Sequence, residues 1–377
     1  MTVFTLILFI LYGLYLLFGL LVILGLRKPD QTAHAGEPFV SIVVAARNEE
    51  ENLPHCLLSL IQLDYPRDKM EIIVVDDHSS DSTAQIISMY ANSYPFIKQY
   101  TLKPGQKSTP GKAGALNYGI LQSQGEFIFV TDADCRVPST WIKSLLSLFR
   151  DSVGLVGGVT LLDKIHDSSP LFGKIQSCDW LYLLSVAASA NYYGLPLSWF
   201  GNNMAFRRQT YNDVGGFDKI SNSLVEDIAL LLEIHKSSRW KIKFSFSQKS
   251  LLHSRPAPNL KEYYNQRKRW ASGIRIMNPF GIFMLTVSVL AHVAVILALL
   301  TSQSLLVLTG IVLLFVTDFS ILYRASRLLG RTDLLYYFIV FEFYYFIYTI
   351  FLPVFLLFDK KTSWKDRQYS LKKEKTL

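Results

Sequence analysis

Two short apolar runs of this chain end in paired acidic residues. Each pair follows its run directly: Asp76 and Asp77 after residues 72–75, and Asp132 and Asp134 after residues 127–131. Short β-branched or aromatic runs bounded by turn residues are typical of buried strands in a parallel sheet. Ligands bind outside the carboxyl ends of such strands, and carboxylates placed together there need a cation or a donor. We therefore expect a binding site where these two runs end.

The spacing of Asp132 and Asp134 indicates the kind of ligand. Side chains alternate along an extended segment, so both carboxylates lie on the same side and can face one hard divalent ion. This predicts Mg²⁺ or Mn²⁺ bound by Asp132 and Asp134 and holding a diphosphate. The alternative interpretation is that both acidic pairs are turns that cap the helices after them.

The apolar content predicts a membrane protein with one soluble domain. Of the 377 residues, 50% are hydrophobic and 14% are aromatic, which is more than an ordinary soluble enzyme has. Stretches long enough to cross a bilayer occur at residues 3–26, 280–301, 304–323 and 334–358. The predicted plan is an anchor, a soluble domain, a membrane region and a basic cytosolic tail, at residues 1–27, 37–275, 279–358 and 359–377 respectively.

Basic residues predict which side of the membrane the soluble domain occupies. Arg27 and Lys28 follow the first apolar stretch, which places the next segment in the cytosol by the positive-inside rule. We expect a multi-pass protein of the plasma (inner) membrane with a cytosolic catalytic domain. A cleaved signal peptide is the alternative for the first stretch. One pass at 334–358 would put the tail outside, whereas its lysines favour the cytosol. The alternatives are a re-entrant hairpin at 334–358 and a preceding segment that lies at the membrane interface.

The charge and the cysteine content indicate which classes of partner and which compartment suit the protein. The net charge is +8, and basic clusters border the apolar stretches, which indicates contact with membrane lipids and no binding of nucleic acid. The three cysteines are scattered, without disulfide or zinc spacing, and suit a reducing compartment. Glu342 lies inside an apolar stretch and is either a functional carboxylate or a hydrogen-bonding partner of a neighbouring helix.

Strand and helix patterns alternate within the soluble domain. Strands are predicted near residues 40–45, 72–75, 97–102, 127–131 and 154–161, and helices near residues 49–63, 82–92, 113–124 and 140–149. Such alternation predicts right-handed βαβ units, a mostly parallel sheet and the α/β class. The sequence has neither the glycine fingerprint of a dinucleotide dehydrogenase after its first strand nor a P-loop, which argues against both classes.

Seven short motifs follow one another along this domain. They are Ala46-Arg47-Asn48-Glu49, Asp76-Asp77-His78-Ser79, Gly111–Asn117, Asp132-Ala133-Asp134, Phe200-Gly201-Asn202-Asn203, Val225-Glu226-Asp227 and Gln266-Arg267-Lys268-Arg269-Trp270. In this order they make the chain similar to the membrane-bound family 2 glycosyltransferases with the Rossmann-like GT-A fold, the group of cellulose synthase, hyaluronan synthase and ceramide glucosyltransferase. The resemblance covers about residues 38–275 and departs from the family pattern at Val225, where threonine is usual.

The resemblance implies a nucleotide-sugar donor, with UDP as the expected nucleotide and GDP as the alternative. The residues that it implies in donor binding are Ala45, Arg47, Glu49, Asp76, Asp77, Lys112, Asp132, Gln266, Arg269 and Trp270. A metal on Asp134 and Asp132 would neutralise the leaving diphosphate, and Lys112 and Arg269 would add fixed positive charge. Two alternatives stay open: Lys112 as a solvated loop lysine, and Arg269 as an anchor for lipid headgroups.

The resemblance also implies the catalytic base. Asp227 would take the proton from the acceptor hydroxyl, and Glu226 would orient or pair with it. Direct attack by one acceptor inverts the anomeric configuration, whereas a retaining double displacement needs a separate nucleophile. The alternative role for Asp227 is a helix cap, because the residue begins a helical run.

The acceptor is the least determined part of the prediction. Gly201, Asn202 and Trp270 are implied in acceptor binding, and interfacial packing is the alternative role of Trp270. The acceptor is either a lipid at the cytosolic face or a growing glycan, and export of a glycan would call for a homo-oligomer or a membrane partner. A catalytically inactive nucleotide-sugar sensor that gates a membrane partner is the alternative function, and a transporter is a further one.

Overall fold

A computed structural model describes residues 2–28, 36–103, 105–106, 109, 111–163, 170–197, 201–219, 226–272, 277–358, 361–364 and 367–370. The chain forms two compact units. The sheet unit comprises Lys28–Asp167 and Ser198–Arg255, and the helical unit comprises Met1–Arg27, Ser168–Leu197 and Pro256–Leu377. Residues 168–197 and 256–275 thus belong to the helical unit, although they lie inside the interval predicted as the soluble domain. The predicted domain boundaries stay a prediction.

The sheet unit alternates strands and helices along the chain. Its elements are β1 (Val40–Ala46), α2 (Leu53–Ile61), β2 (Met70–Asp76), α3 (Thr83–Ser93), β3 (Ile97–Thr101), α4 (Gly111–Gln122), β4 (Phe127–Asp132), α5 (Trp141–Leu146), β5 (Val153–Gly158), β6 (Thr160–Leu162), β7 (Asn203–Arg207), α7 (Arg208–Asp213), α8 (Gly216–Lys219), α9 (Glu226–Lys236), β8 (Lys241–Ser245) and β9 (Leu252–Ser254).

The main sheet of the described residues has seven strands in the order β3-β2-β1-β4-β7-β5-β8. The first four are parallel to one another, as predicted, whereas β7 runs antiparallel to both β4 and β5. The predicted strand at 154–161 divides into β5 and β6, and β6 leaves the main sheet to pair with β9. The predicted α/β class with a mostly parallel sheet is confirmed.

Two apolar layers cover the faces of this sheet. Alternate residues of β1 illustrate the division, because Ile42 and Val44 belong to one buried cluster and Val43 belongs to the other. The first cluster includes residues of α2, α3 and α5, and the second includes residues of α4 and α9. Strands buried on both faces read as continuous apolar runs, which is why the sequence reveals them.

The helical unit contains α1 (Val3–Gly25), α6 (Leu171–Tyr192), α10 (Leu260–Ser272), α11 (Pro279–Leu300), α12 (Ser304–Leu329), α13 (Phe338–Phe358) and the hairpin of β10 (Lys361–Trp364) and β11 (Arg367–Ser370). Four segments of the described chain are long and apolar enough to cross a membrane: Val3–Gly25, Pro279–Leu300, Ser304–Leu329 and Thr332–Leu352. The last of the predicted stretches forms the single helix α13 after a 3₁₀ turn, not a re-entrant hairpin. The sequence reading did not identify α6.

A carboxylate joins three helices inside the helical unit. Asp318 on α12 is fully buried, and its Oδ1 accepts hydrogen bonds of 2.6 Å from the hydroxyls of Tyr15 on α1 and Tyr182 on α6. Buried polar groups need such partners, so this cluster holds α1, α6 and α12 in one arrangement. The sequence reading named Glu342 as the intramembrane carboxylate and overlooked Asp318. Among the described residues, Glu342 Oε2 is buried without a hydrogen-bond partner.

Glu71 in β2 makes the densest polar network at the amino ends of the strands. It accepts hydrogen bonds of 2.6 Å from the Ser41 hydroxyl, the Gln124 backbone N–H and the Lys98 ammonium group. Burial raises the pKa of Glu71, but the bonds from Lys98, Ser41 and Gln124 outweigh it, so the pKa lies below the ordinary carboxyl value of 4.5.

The substitution Glu71→Gln should lower the stability of the sheet unit in a pH-dependent way. A carboxyl with a depressed folded-state pKa stabilises the fold above its unfolded pKa, and this contribution is lost as the pH falls through the folded pKa. We expect a loss of about 1.5–3 kcal/mol near pH 7. The measurement is the unfolding temperature of both proteins in detergent as a function of pH. The difference in unfolding temperature between wild type and variant should disappear below about pH 4. A difference that grows in acid would contradict the network.

Candidate active site

The carboxyl ends of three strands bring the predicted acidic residues to one end of the sheet. β1 lies between β2 and β4, and its register places Ala46 beside Asp76 and Ala45 beside Asp132. The chain continues from β1 to β2 and β3 on one side and returns to β4 on the other side of β1. In α/β sheets this kind of reversal opens a crevice at the carboxyl ends of the strands. The two acidic pairs therefore lie at the same end of the sheet, and the binding site expected there stays a prediction.

The loops after β1 and β2 are tied together by hydrogen bonds. Asn48 makes two of these hydrogen bonds. Its backbone N–H donates to Ser79 Oγ at 3.1 Å, and its side-chain Oδ1 accepts from the Ser80 N–H at 2.9 Å. The Glu49 N–H donates to Thr83 Oγ1 at 2.8 Å. Asn48 and His78 have φ values of 51° and 60°, a left-handed conformation that side chains adopt at a cost of about 1–3 kcal/mol. The loops hold this strained backbone in place.

Asp76 and Asp77 are buried, with 2% and 4% of their surfaces exposed. Asp76 Oδ1 accepts from the Ser79 N–H at 3.3 Å, and Asp77 Oδ1 lies 3.0 Å from His78 Nδ1. The Arg47 Nη1 donates to the Asp77 backbone oxygen at 3.0 Å. The pairing of Arg47 with the backbone of Asp77 brings two predicted donor-binding residues together.

Lys112 lies in the first turn of α4 and forms an ion pair with Asp132 at the end of β4. The helix begins at Gly111, whose φ of 77° favours glycine. Both charged side chains are largely shielded from solvent, with 18% of Lys112 and 30% of Asp132 exposed. Lys112 is therefore directed into the acidic site and is not the solvated loop lysine that was the alternative.

Asp134 is held by groups that the sequence motifs do not include. Its Oδ2 accepts from the Ser254 hydroxyl at 3.1 Å, and its Oδ1 accepts from the Cys135 thiol at 3.6 Å. Burial raises the pKa of the Cys135 thiol, and the charge of Asp134 raises it further, so the thiol stays protonated and donates. The Arg136 backbone pairs with His253, which fastens the acidic loop to β9.

These carboxylates suit a hard divalent ion that also binds phosphate. No group of three or more His, Cys, Asp or Glu side chains placed to hold a metal occurs in the described part of the chain. Mg²⁺ is commonly held by one or two carboxylates, with phosphate and water oxygens as its other ligands. Asp132 and Asp134 fit that donor set.

Asp227 connects the start of α9 to the glycine of another motif. Its Oδ2 accepts from the Gly201 N–H at 2.6 Å, and its Oδ1 accepts from the Ile228 N–H at 2.8 Å. A Cβ at position 201 would lie 2.9 Å from the Asp227 Cβ, so only glycine allows this approach. Asp227 is half-buried and reachable from solvent. The backbone of Glu226 begins α9, but its side chain, like Phe200 and Val225, lies outside the described residues.

The two asparagines of the Phe-Gly-Asn-Asn motif have different environments. Asn203 is fully buried and bonds to the Trp141 Nε1, the Val159 oxygen and the Ser250 oxygen at 2.8–2.9 Å. Asn202 is half-buried, and its Oδ1 accepts from the Thr160 hydroxyl at 2.9 Å. Asn203 is thus a packing residue, whereas Asn202 remains accessible to a ligand.

Gln266, Arg269 and Trp270 lie on α10 in the helical unit, whereas the other predicted site residues lie in the sheet unit. All three are half-buried. The Trp270 ring lies against Trp180 on α6, with ring centroids 4.1 Å apart. Interfacial packing stays the alternative role of Trp270.

Comparison with known proteins identifies the family. A model described as "Glycosyl transferase family 21" matches residues 2–377. The beta-monoglucosyldiacylglycerol synthase of Trichormus variabilis is 31% identical over 239 residues, which are 63% of this chain and 49% of the synthase. The poly-beta-1,6-N-acetyl-D-glucosamine synthase of Staphylococcus epidermidis is 29% identical over 245 residues, which are 64% of this chain and 56% of the synthase. The chain therefore spans about half the length of the curated relatives that it matches.

A solved structure supports the fold independently. The mannosyltransferase PcManGT from Pyrobaculum calidifontis, in complex with GDP-Man and Mn²⁺, superposes with a TM-score of 0.59. The superposition covers 95% of this chain and 99% of the mannosyltransferase chain, at 19% identity. At this identity the likeness shows a shared fold.

Replacing Lys112 by methionine should strengthen Mn²⁺ binding to the nucleotide-free protein. The ammonium group beside Asp132 repels a cation, and its removal should raise Mn²⁺ affinity about fivefold, the equivalent of ~1 kcal/mol. Asp134→Asn should have the opposite effect. The measurement is titration of free Mn²⁺ by electron paramagnetic resonance. Lys143→Met, which removes an exposed ion pair with Asp64, is the control, and unchanged or weaker binding in Lys112→Met would refute the site.

Proposed function

The chain belongs to glycosyl transferase family 21, and on that premise we propose that it transfers a hexose from a UDP-sugar to a lipid acceptor at the cytosolic face of the membrane. The transfer inverts the anomeric configuration and uses Mg²⁺ or Mn²⁺. One observation carries the proposal: the Lys112–Asp132 ion pair stands beside Asp134 at the carboxyl ends of β1 and β4, next to the buried Asp76 and Asp77.

The proposed donor site contains both positive and negative groups. Lys112 and the N-terminus of α4 supply positive potential where a diphosphate would lie. Asp132 and Asp134 would hold a divalent ion, which would supply electrostatic stabilisation of the leaving diphosphate. The buried Asp76 and Asp77, with Arg47, bind the nucleoside. Gln266, Arg269 and Trp270 complete the set of residues that we propose for donor binding.

Asp227 is the catalytic base of the proposed reaction. Its two oxygens accept hydrogen bonds from the N–H groups of Gly201 and Ile228, which fixes the orientation of the carboxylate. Gly201 and Asn202 lie beside it and contact the acceptor. A single carboxylate base with direct attack gives inversion.

Packing in the helical unit supports a lipid acceptor. The described helices are filled at their centre by large, fully buried side chains, among them Tyr15, Tyr182 and Phe341. Gly310 of α12 lies against the Tyr12 ring of α1, so the helices approach closely. A lipid reaches such a protein from the bilayer, whereas an exported glycan needs a passage. The glycan acceptor remains the second candidate because one relative is named as a polysaccharide synthase.

The apolar helices and the basic residues beside them support the membrane placement in this proposal. The four apolar helices cross the plasma (inner) membrane, and the basic residues after α1 keep the sheet unit in the cytosol. Arg324 near the end of α12 donates to the Leu26 backbone oxygen at 3.2 Å, so basic groups from two helices gather at one level of the helical unit. That level is where anionic headgroups would lie.

Asp227→Asn should abolish most transfer without removing donor binding. Loss of a general base costs about 10²–10⁴-fold in rate, while amide and carboxylate have the same size and keep the bond from Gly201. The measurement is sugar transfer by purified protein in lipid, with Mn²⁺ or Mg²⁺ and radiolabelled nucleotide sugars. Asp213→Asn, at a carboxylate bound to Trp240 away from the site, should retain activity. Equal activity in wild type and Asp227→Asn would refute the base.

The product of the same assay tests the acceptor. Radiolabel should enter the organic phase on extraction, because a glycolipid partitions with lipid. Radiolabel of high molecular mass in the aqueous phase would instead show that the acceptor is a growing glycan. Donor binding without any turnover, even to free sugar, would favour the nucleotide-sugar sensor.

A further inference from the structure

Helix α6 presents three side chains to α10 and to the segment that precedes it. Gln176, Asp179 and Trp180 stand at positions i, i+3 and i+4, which share one face of a helix. All three are buried: Gln176 and Asp179 are 0% exposed and Trp180 is 2% exposed. None of them belongs to a motif of the sequence.

Gln176 binds the chain just before α10. Its Nε2 donates to the Ala257 backbone oxygen at 3.0 Å, and its Oε1 accepts from the Ala257 N–H at 2.9 Å. Both halves of one amide side chain therefore bind one residue of the backbone. This fixes where the segment leading into α10 lies against α6.

Asp179 binds the middle of α10. Its Oδ2 forms an ion pair with the guanidinium group of Arg267, which is 6% exposed. Three aromatic rings surround that guanidinium, those of Tyr263, Trp270 and Tyr348, at 4.8, 4.8 and 5.5 Å. Asp179 Oδ1 has no hydrogen-bond partner among the described residues.

A buried ion pair of this kind is poor evidence of stabilisation. Removing two charges from water is costly, and an apolar pair of the same size is often as stable. The pair instead specifies one arrangement of α6 and α10, because any arrangement that left either charge unpaired would cost several kcal/mol. Trp180 adds a second restraint through its stack on Trp270.

We propose that Asp179 is a positioning residue for the transfer reaction, and that its ion pair with Arg267 fixes the rotation of α10. Arg269 is two residues beyond Arg267 and is rotated from it by about 200° around the helix axis. Fixing Arg267 against α6 therefore fixes the direction of Arg269. The inference rests on the proposed role of Arg269 in donor binding.

The test is a double-mutant cycle between Asp179→Asn and Arg269→Lys in the full chain in lipid. Arg269→Lys keeps the charge and loses the planar donor fork. Misplacement of a reacting group by about 1 Å costs on the order of 10²-fold, so Asp179→Asn alone should lower kcat about 10- to 100-fold. In the Arg269→Lys background it should lower kcat less than about threefold, while the fall in unfolding temperature should be equal in both backgrounds.

Glu71→Gln is the control, because it breaks the ion pair of the buried Glu71 with the partly exposed Lys98 in the sheet unit. It should lower the unfolding temperature and leave kcat unchanged in both backgrounds. If Asp179→Asn alone fails to fold, Asp179→Asn with Arg267→Gln replaces it as a neutral pair of similar size. This double variant should keep stability and show the same loss of kcat.

Three results would overturn the inference. The first is an equal loss of kcat from Asp179→Asn in both Arg269 backgrounds. The second is full activity of the double variant, and the third is failure of the double variant to fold, which would make the pair a folding determinant alone. A wild-type chain without transfer would overturn the proposed function and this inference with it, so the two failures are distinguishable.

Discussion

The need to stabilise negative charge at the carboxyl ends of β2 and β4 governs the rest of the sheet unit. A buried carboxylate without partners is destabilising by several kcal/mol, and this unit places four acidic residues there. Each of them is held by a partner: Asp76 by Ser79, Asp77 by His78, Asp132 by Lys112, and Asp134 by Ser254. These partners come from the loop after β2, from the first turn of α4 and from β9, so the same charges also join these segments to the ends of β2 and β4.

The helical unit uses the same kind of restraint in apolar surroundings. Helices in a membrane gain little from hydrophobic contact with one another, so close packing and polar bonds determine how they associate. Asp318 binds hydroxyls from α1 and α6, and Asp179 binds the guanidinium of α10. Because α6 takes part in both, its position depends on the membrane helices and in turn determines the position of α10.

The sequence predicted the parts that depend on local pattern. Runs buried on both faces identified β1, β2 and β4, and the motifs identified Asp132 and Lys112 before their ion pair was known. Antiparallel β7 was not predicted, because pairing direction depends on neighbours distant in the chain. Ser254 and Asp318 were missed for a related reason: a serine in a short strand and an aspartate in an apolar run acquire their partners only on folding.

Helix α6 was not predicted from the sequence pattern. It is buried on most of its surface, so it lacks the one-sided apolar stripe that marks an amphipathic helix. Its polar residues look out of place in the sequence, yet Gln176, Asp179 and Ser189 each bind another segment of the helical unit. A polar residue in an otherwise buried helix costs stability unless it is bonded. The polar positions of α6 are therefore best understood as the determinants of geometry in this unit, and the apolar ones as the determinants of its stability.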